Sequence, residues 1–519
     1  MQKITYASLG SLGEEFHLAF DAALNQVRAK LGLPYPLYID GRSRKTKAGT
    51  FADTCPANTQ IVLGHFQSGD RADAQKAIAA AKSAFPAWRD LGWQQRNVQL
   101  RKAADLMTQR QFEFAALLSL EVGKNRFEAI AEVSEAIDLI LYYCRQMEEH
   151  NGYEVPLAGV GAEKTRSVLK PYGVWAVIAP FNFPLALATG MAAGALVTGN
   201  TVVFKPASDT PFSGLCLYNV LRDAGLPDGV FNFITGRGNI AGEELLVNPD
   251  VDGLIFTGSK AVGLSIFGRF GKKFPKPCIT EMGGKNPAIV MPSANLDDAA
   301  EGVMRSAFGM GGQKCSACSR LYLSKDVYKP FLDLLLEKTK ALKIGDPVAK
   351  DVFLGPLINA AAVKKYERAV QMGKDEGRIV YGGQMLKTGE FARGYFVEPA
   401  IVDKLPKRSR VFQQEFFAPV LAVAEVKSLD EALKLCNASE YGLTAGIFTA
   451  DEDEQQKFFQ DIEAGVTYCN RRGGATTGAW PGVQSFGGWK CSGSSGKAGL
   501  GPYYVAQFMR EQSQTMVKK

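Results

Sequence analysis

The chain is 519 residues long, more than one hydrophobic core usually serves, so we expect two or more domains. Hydrophobic residues make up 46% and charged residues 22%, which is ordinary for a soluble globular protein. The net charge of +7 comes from 60 basic and 53 acidic residues spread along the chain, without a dense basic block. This composition excludes a typical nucleic-acid-binding protein.

Neither a membrane nor secretion is indicated by the sequence. No stretch reaches the ~18 uninterrupted apolar residues of a membrane span. Residues 1–16 lack the apolar core of a signal peptide and carry Glu14 and Glu15. Nine cysteines without regular spacing are typical of reduced thiols. The sequence therefore predicts a cytoplasmic protein.

Helical patterns dominate the amino-terminal part of the chain. The predicted helices span residues 14–31, 70–88, 95–125 and 127–147. Pro86 is expected to break the second of them, because proline lacks the amide proton that an interior helical position needs. A turn and a short strand are expected over residues 33–42, just after the first helix.

A strand–helix rhythm begins near residue 173. Short β-branched runs occupy residues 173–179, 200–205, 229–235 and 251–256. Helical patterns follow them at intervals of about 25 to 30 residues, which predicts a parallel sheet with crossover helices. Doubly wound sheets bind ligands at the carboxyl ends of their strands. The fold class is therefore α/β, and the segments after the strands are candidate binding segments.

Polar and small residues follow these strands. The candidates are Asn182, Lys205, Ser208, Gly258, Ser259 and Gly263. The Gly258–Ser259 turn opens a predicted helix, so its amides, its hydroxyl and the positive helix end suit a phosphate. An ordinary N-cap serine, which needs no ligand, is the alternative. The segment 236–242 misses the GxGxxG pattern by one residue and is weak evidence alone.

A second α/β block is expected from Gly283 onwards. Glu281 stands just before its first strand, and is either a turn carboxylate or a general base with a raised pKa. Further along, Glu415 and Phe417 share one side of an extended run that ends in proline. Residues 470–496 are rich in Gly, Ser and Thr and have almost no period, as in a long functional loop.

Cys315 is the candidate nucleophile. Its neighbours in GGQKCSACSR are small, which leaves room for a substrate to approach the thiol. A buried structural cysteine is the alternative. Cys315 and Cys318 form a CxxC, but zinc needs four ligands, and the chain has no second CxxC and only three scattered histidines. A thioredoxin-like pair would lie early in a small domain. We therefore expect a nucleophilic thiol and no metal.

Taken together, these motifs resemble the aldehyde dehydrogenase superfamily over essentially the whole chain. They are, in order, PFNFP, KPAS, FTGS, EMGGK, GQKC, EFFAP and SFGG. GQKCSACSR, EVGKN with the SEAID helix after it, and TGAWPGVQSFGG are most similar to members that oxidise L-glutamate γ-semialdehyde to L-glutamate in proline breakdown.

The resemblance implies a domain organisation. It comprises a Rossmann-like NAD(P)-binding domain, an α/β catalytic domain and an oligomerisation flap. Their expected boundaries are 1–151 with 172–282, then 283–501, and 152–171 with 502–519. The flap implies a homo-oligomer, either a dimer or an assembly of dimers.

The resemblance also implies residue roles. Cys315 would attack the aldehyde, Asn182 would stabilise the alkoxide together with the backbone N–H of Cys315, and Glu281 would activate the hydrolytic water. The implied cofactor-binding residues are Lys205, Ser208, Gly258, Ser259, Gly263, Glu415 and Phe417. The implied substrate-binding residues are Glu135 near the α-ammonium group, Ser316, Gly478 and Ala479 near the α-carboxylate, and Phe183 and Phe486 along the stem.

One position departs from the pattern of NAD-preferring members. They commonly have glutamate three residues after the lysine that meets the adenosine ribose, whereas this chain has Ser208 after Lys205. A glutamate there would repel a 2′-phosphate, and a serine would tolerate it. The expected cofactor is therefore NAD or NADP.

Two rival interpretations stay open at this point. One is another semialdehyde dehydrogenase, such as one for succinate semialdehyde, although such enzymes usually bind their carboxylate with arginine. The other is a non-catalytic, structural member of the same fold. Intact Cys315, Glu281 and Asn182 argue against it, because a structural role requires none of them.

Overall fold

The computed structural model describes residues 4–8 and 13–517. Its helices are α1 Glu14–Arg28, α2 Arg71–Asp90, α3 Trp93–Gln109, α4 Gln111–Val122, α5 Arg126–Glu149, α6 Ala186–Val197, α7 Pro211–Asp223, α8 Glu243–Val247, α9 Lys260–Arg269, α10 Leu296–Phe308, α11 Tyr328–Lys340, α12 Ala360–Glu376, α13 Arg410–Gln413, α14 Leu429–Asn437 and α15 Glu452–Asp461. In the same ranges, no helix is both long and apolar enough to cross a membrane.

The strands are short and mostly buried. They are β1 Leu33–Tyr35, β2 Leu37–Ile39, β3 Arg42–Arg44, β4 Thr50–Thr54, β5 Val62–Gln67, β6 Glu154–Leu157, β7 Glu163–Pro171, β8 Val174–Ile178, β9 Thr201–Lys205, β10 Phe231–Phe233, β11 Gly253–Thr257, β12 Cys278–Glu281, β13 Asn286–Val290, β14 Cys318–Ser324, β15 Arg378–Gly382, β16 Ala400–Asp403, β17 Val420–Val426, β18 Tyr441–Gly442, β19 Thr444–Phe448, β20 Val466–Cys469, β21 Trp489–Lys490 and β22 Met509–Val517.

The first large sheet has the strand order β12-β11-β8-β9-β10-β2-β3. The strands from β12 to β10 run parallel, and β2 and β3 add an antiparallel edge. Side chains of β8 alternate between two cores: Val174 and Ala176 pack towards α2, and Trp175 and Val177 pack towards the helices on the opposite face. Helices on both faces and a parallel centre make this the doubly wound sheet that the strand spacing predicts.

The second large sheet has the order β15-β16-β17-β14-β13-β19-β20 and is parallel except for its edge strand β15. Its core strands are apolar on both faces: Ala288 and Val290 of β13 enter one core, and Ile289 enters the other. The predicted second α/β block is therefore confirmed.

A smaller antiparallel sheet joins distant parts of the chain. Strand β7 pairs with β6 on one side and with β22 on the other, from Met509 against Pro171 to Val517 against Glu163. Apolar side chains on this sheet are exposed, including Val155, Leu157 and Val517.

Pro86 does not end its helix, so that prediction was wrong. Helix α2 continues through Pro86 to Asp90. Pro86 is exposed, and so is Lys82, whose carbonyl loses its helical partner. Because water can solvate that carbonyl, the proline destabilises the helix only a little. The buried side chain of Trp88 then holds the last turn in place.

The long helix expected over residues 95–125 is two helices, α3 and α4, that meet at Arg110. No Gly or Pro marks the break. Helix α3 is half exposed, whereas every residue of α4 from Phe114 to Val122 is buried. One straight helix cannot satisfy both environments, so the chain turns where the packing partners change.

Candidate active site

The loop that carries Cys315 is a tight turn between α10 and β14. Met310, Gly311 and Gly312 all have positive φ, at 53°, 63° and 65°. A side chain at Gly312 would meet the carbonyl of Ala418, which explains why glycine is required there. The turn brings the Cys315 side chain to the wall of a cavity rather than into the core.

Asn286, a residue that the sequence analysis missed, fixes this loop. Its side-chain amide donates to the carbonyls of Cys315 at 2.8 Å and Ala317 at 2.9 Å. Its oxygen accepts from the backbone N–H of Thr444 at 3.0 Å. The loop is therefore held from the first strand of the second sheet, and the thiol is presented by a rigid scaffold.

A cavity of about 100 Å³ brings most of the expected reaction and substrate residues together. Its walls include Cys315, Glu281, Glu135, Phe183, Ser316, Gly478, Ala479 and Phe486. These residues come from five separate segments of the chain, so only the fold assembles them. Asn182 is buried in the turn after β8, directly before Phe183.

Glu281 ends strand β12 and is unusual for a buried carboxylate. Its Oε2 atom has no hydrogen-bond partner among the described residues. Burial raises the pKa of Glu281 to about 8, although a backbone N–H of Gly488 lowers it. A carboxyl group with such a pKa exchanges a proton near neutral pH, as a general base must.

The Cys315 thiol is mostly neutral in the protein without ligands. Burial raises its pKa to about 12, with smaller contributions from the nearby carboxylates of Glu415 and Glu281. Cys318 lies apart from this chemistry: its Sγ donates to the carbonyl of Arg320 at 3.4 Å within the core of the second sheet. In residues 4–8 and 13–517, no three His, Cys, Asp or Glu side chains converge as a metal site would require.

A buried ion pair supports the turn that carries Asn182 and Phe183. Lys124 donates to Glu132 at 2.5 Å, and both side chains are fully buried. The other oxygen of Glu132 accepts from the backbone N–H groups of Leu185 and Ala186 at 2.9 and 3.1 Å. The Lys124 ammonium lies 3.7 Å from the centroid of the Phe183 ring. Sequence reasoning missed this pair, because charges on a helical segment usually face solvent.

The loop at 470–496 supplies the opposite wall. Gly478 has a φ of +98°, which favours glycine, and its carbonyl accepts from Arg471 at 2.6 Å. The carbonyl of Ser316 accepts from the hydroxyl of Thr476 at 2.7 Å. The two segments expected to meet an α-carboxylate are thus held in place through their own carbonyls.

Most of the expected cofactor residues lie near the carboxyl edge of the first sheet, and Glu415 and Phe417 come from the second block. Lys205 ends β9, and Ile178 of β8 pairs with both Lys205 and Phe256, next to the Gly258–Ser259 turn. With strands about 4.8 Å apart, Lys205 and Glu281 are separated by three strand spacings, or about 14 Å. A long ligand could span this edge.

Lys205 and Ser259 have the features of a ligand-binding edge. The Lys205 ammonium donates to the Pro206 carbonyl at 3.1 Å, and burial lowers its pKa to about 8. Ser259 is exposed at the start of α9, and its side chain makes no capping bond with the described residues. The alternative of a simple N-cap serine therefore loses its support, and the first-turn amides of α9 are free to meet a phosphate.

Gly258 and Gly263 are explained by packing instead. A side chain at Gly258 would meet the ring of Phe256, and one at Gly263 would meet Met282. Both glycines let helix α9 lie close to the sheet, whether or not a ligand is present.

Glu415 reaches the glycine pair beside Glu281. Its Oε1 accepts from the backbone N–H of Gly284 at 2.9 Å, and a side chain at Gly283 would clash with it. Burial raises the pKa of Glu415 to about 7. Phe417 has a φ of +55°, so the segment is not a regular extended run as expected; its ring lies 5.7 Å from that of Phe181. The kink turns the Phe417 ring towards the segment after β8.

A cysteine and a carboxyl group that share one cavity beside a doubly wound sheet fit an oxidoreductase that works through a covalent thiol intermediate. The chain belongs to the aldehyde dehydrogenase family, whose model matches residues 43–513. It is 40% identical over 501 residues to 1-pyrroline-5-carboxylate dehydrogenase of Bacillus mycoides (strain KBAB4), covering 96% of this chain and 95% of that protein.

Solved structures agree with this assignment. The 1-pyrroline-5-carboxylate dehydrogenase from Thermus with bound NAD superposes with a TM-score of 0.93 at 38% identity, covering 98% of this chain and 97% of that chain. An NADP-dependent enzyme from E. coli superposes with a TM-score of 0.88 at 32% identity, covering 93% and 98%. The aldehyde dehydrogenase fold expected from the motifs is confirmed.

Proposed function

We propose that this protein oxidises L-glutamate γ-semialdehyde, the open form of 1-pyrroline-5-carboxylate, to L-glutamate in proline catabolism. The observation that carries the proposal is the cavity, whose walls include Cys315 and Glu281 together with Glu135 and the Gly478–Ala479 loop. Relatives near 40% identity over almost the whole chain carry the name of this activity.

The reaction starts at Cys315. The thiol gives up its proton to water, and the resulting thiolate adds to the aldehyde carbon to give the thiohemiacetal alkoxide. Asn182 and the backbone N–H of Cys315 donate to the oxygen that becomes negative, and losing one such donor typically costs ~3 kcal/mol of barrier. NAD or NADP, if held along the edge between Lys205 and Glu415, would supply the acceptor for the hydride that the thiohemiacetal must lose to become a thioester. Glu281 then takes a proton from water, which hydrolyses the thioester and frees Cys315.

The cofactor is proposed to lie along the edge between Lys205 and Glu415. The buried Lys205 ammonium has three donor protons and a single partner among the described residues, so ribose hydroxyls fit as additional acceptors. The uncapped first turn of α9 at Ser259 fits the pyrophosphate. Glu415 would accept from the nicotinamide ribose, with Phe417 beside it, and Gly258 and Gly263 keep α9 close to the sheet.

The substrate is recognised at both ends. Ser316, Gly478 and Ala479 would bind its α-carboxylate, and Glu135 would accept from its α-ammonium group. Phe183 and Phe486 would contact the aliphatic stem between them. Succinate semialdehyde lacks the amino group, and the buried Glu135 would then be left with no cation to bind, which disfavours that alternative.

The protein is further proposed to be a cytoplasmic homo-oligomer, a dimer or an assembly of dimers. The exposed apolar residues Val155, Leu157 and Val517 on the sheet of β6, β7 and β22 support this role for the flap. The domain boundaries proposed are 1–151 with 172–282, 283–501, and 152–171 with 502–519, of which residues 1–3, 9–12 and 518–519 lie outside the described residues.

Steady-state rates on matched aldehydes test the function. 4-Aminobutanal keeps the amine but lacks the α-carboxylate, and kcat/KM should fall at least about a hundredfold, since each charge-assisted hydrogen bond contributes ~1.5–3 kcal/mol. Glutarate semialdehyde keeps the carboxylate and lacks the amine, and should also be used less well. Higher kcat/KM on succinate semialdehyde would contradict the assignment, and absence of NAD(P)H with every aldehyde would favour a structural protein.

A further inference from the structure

An amino-terminal segment, residues 4–8, forms part of the substrate cavity. Tyr6 lines the cavity together with Glu135 and Cys315. The segment is separated from these residues by more than a hundred positions and precedes residues 43–513, the part that the family model matches. Family membership therefore assigns no role to Tyr6.

The hydroxyl of Tyr6 is bonded to the carboxylate that is proposed to meet the substrate. It donates to Oε2 of Glu135 at 2.8 Å. Glu135 is itself buried in helix α5. A carboxylate that accepts such a bond is held in one rotamer and is favoured in its ionised form.

The ring of Tyr6 is fixed by its neighbours. Its centroid lies 5.6 Å from that of Phe183 and 5.7 Å from that of Trp480, both in edge-on arrangements. The Lys314 ammonium lies 5.9 Å from the ring centroid. The hydroxyl is thus aimed at Glu135 by packing on both walls of the cavity.

The rest of the segment is anchored on the loop at 470–496. A side chain at Gly473 would meet the carbonyl of Ala7, and one at Gly478 would lie 3.6 Å from the Ala7 side chain. The segment also closes on itself, since Ser8 donates its N–H to the carbonyl of Thr5 at 2.9 Å. The glycines of the loop make room for this segment as well as for a substrate.

Tyr6 also lies between two cavities. With Lys314 and Thr477 it borders both the substrate cavity and a second cavity of about 270 Å³. Removing the whole side chain would join the two cavities, whereas removing only the hydroxyl would leave the partition intact.

We propose that Tyr6 is a positioning residue that determines specificity: its hydroxyl holds Glu135 ready to accept the α-ammonium group of the substrate. The inference rests on the proposed function, because it names how the amino group of that substrate is selected. Tyr6 acts through Glu135 and does not take part in the chemistry at Cys315. Its contribution therefore belongs to KM and to the choice between aldehydes with and without an α-amino group.

Tyr6→Phe is the direct test, because it removes the hydroxyl and keeps the ring between Phe183 and Trp480. KM for L-glutamate γ-semialdehyde should rise about tenfold with kcat nearly unchanged, the size expected for one bond to a charged group. KM for glutarate semialdehyde should stay within about twofold of wild type. Tyr328→Phe is the matched control, since Tyr328 also donates its hydroxyl to a buried carboxylate, Asp403, at 3.2 Å.

The pH dependence gives a readout that a merely structural role would not change. Burial raises the pKa of Glu135 to about 7, and the Tyr6 hydrogen bond lowers it. Tyr6→Phe should therefore raise that pKa and move the acidic limb of kcat/KM to higher pH with the amino substrate only. The other groups that act on Glu135, and that stay the same in the variant, are Glu132, Lys124, Asp138 and Tyr143.

A double-mutant cycle with Glu135→Gln separates positioning from stability. In the Glu135→Gln background, adding Tyr6→Phe should change KM by less than about twofold, because the charge it positions is gone. Additive effects, or equal KM increases for both aldehydes, would overturn the proposal. If the wild-type protein does not distinguish L-glutamate γ-semialdehyde from glutarate semialdehyde, the proposed function is wrong. If it does, and Tyr6→Phe distinguishes them equally well, only the proposed role of Tyr6 is wrong.

Discussion

Two buried glutamates near the site, Glu132 and Glu281, differ in whether their oxygens have hydrogen-bond partners. Both oxygens of Glu132 are satisfied, one by Lys124 and the other by two backbone N–H groups at the start of α6. Glu281 has one oxygen with no partner in the described part of the chain. Leaving a buried carboxyl oxygen without a partner is costly, so the second arrangement is retained for a reason other than stability.

This difference distinguishes a buried polar group that stabilises the fold from one that is available for chemistry. The Lys124–Glu132 pair stabilises the turn that presents Asn182 and Phe183, and its atoms are occupied by each other and by backbone. Glu281 and Cys315 line the same cavity, and Oε2 of Glu281 has no partner among the described residues. Substitutions at the two places should therefore affect different measurements.

Cys315→Ala should have the largest effect on catalysis. Removing the nucleophile should reduce dehydrogenase turnover at least about a thousandfold, while cofactor affinity stays close to wild type. Turnover is measured from NAD(P)H formation and affinity by calorimetric titration. Residual turnover above about a thousandth of wild type would remove Cys315 from the role of nucleophile.

Lys124→Met should have the largest effect on stability. It leaves Glu132 as an unpaired charge in the core, which costs about 3 kcal/mol or more of the free energy of unfolding. The urea midpoint should fall clearly, and adding Glu132→Gln should recover part of the loss. An unchanged midpoint for Lys124→Met would remove the contrast between the two glutamates.

Glu281→Gln should do the opposite of Lys124→Met: it should slow catalysis and leave stability unchanged. Deacylation should slow while acylation continues, so a burst of NAD(P)H near one per active site should precede slow turnover. Stability should not fall, since a buried carboxyl group with one oxygen lacking a partner is replaced by an amide of the same size. If both the burst and the steady state disappear, Glu281 acts in acylation or folding instead.

The pH dependence of deacylation is a second test of the role of Glu281. Burial raises the pKa of Glu281 to about 8, so the group is protonated below that pH and ionised above it. A base must be ionised, and the wild-type deacylation rate should therefore rise as pH increases through about 8. Single-turnover rates in Glu281→Gln should lack this limb.

The sequence predicted the local features well because they follow from periodicity. The strands after residue 173 and the turns at their ends depend on β-branched runs and small residues, which can be counted. The motifs also indicated Cys315 and Glu281, and the structure brings both to one cavity, although their roles stay predictions. Long-range pairing was not predictable: nothing near Tyr6 points to Glu135, and nothing near Lys124 shows that it is buried. Pro86 was misjudged because exposure, which decides the cost of a helical proline, is a tertiary property.

The smallest expected effect concerns the adenosine end of the cofactor. Ser208 is exposed, its hydroxyl lies 3.5 Å from the carbonyl of Gly236, and helix α7 has Thr210 rather than Ser208 at its N-cap. Ser208 therefore does not cap α7. Two negative charges 4 Å apart at an effective dielectric near 20 repel by ~4 kcal/mol, so a glutamate here would exclude a 2′-phosphate.

Wild type should therefore use both cofactors, and Ser208→Glu should shift the ratio of kcat/KM towards NAD by about tenfold or more, or ~1.4 kcal/mol. Ser43→Glu is the matched control, because Ser43 is exposed on β3, the far edge strand of the same sheet, and receives the same charge. The control should leave the NAD-to-NADP ratio unchanged. An equal ratio in Ser208→Glu and wild type would mean that this position does not face the 2′ group, and the choice between NAD and NADP would then depend on Lys205 and its neighbours alone.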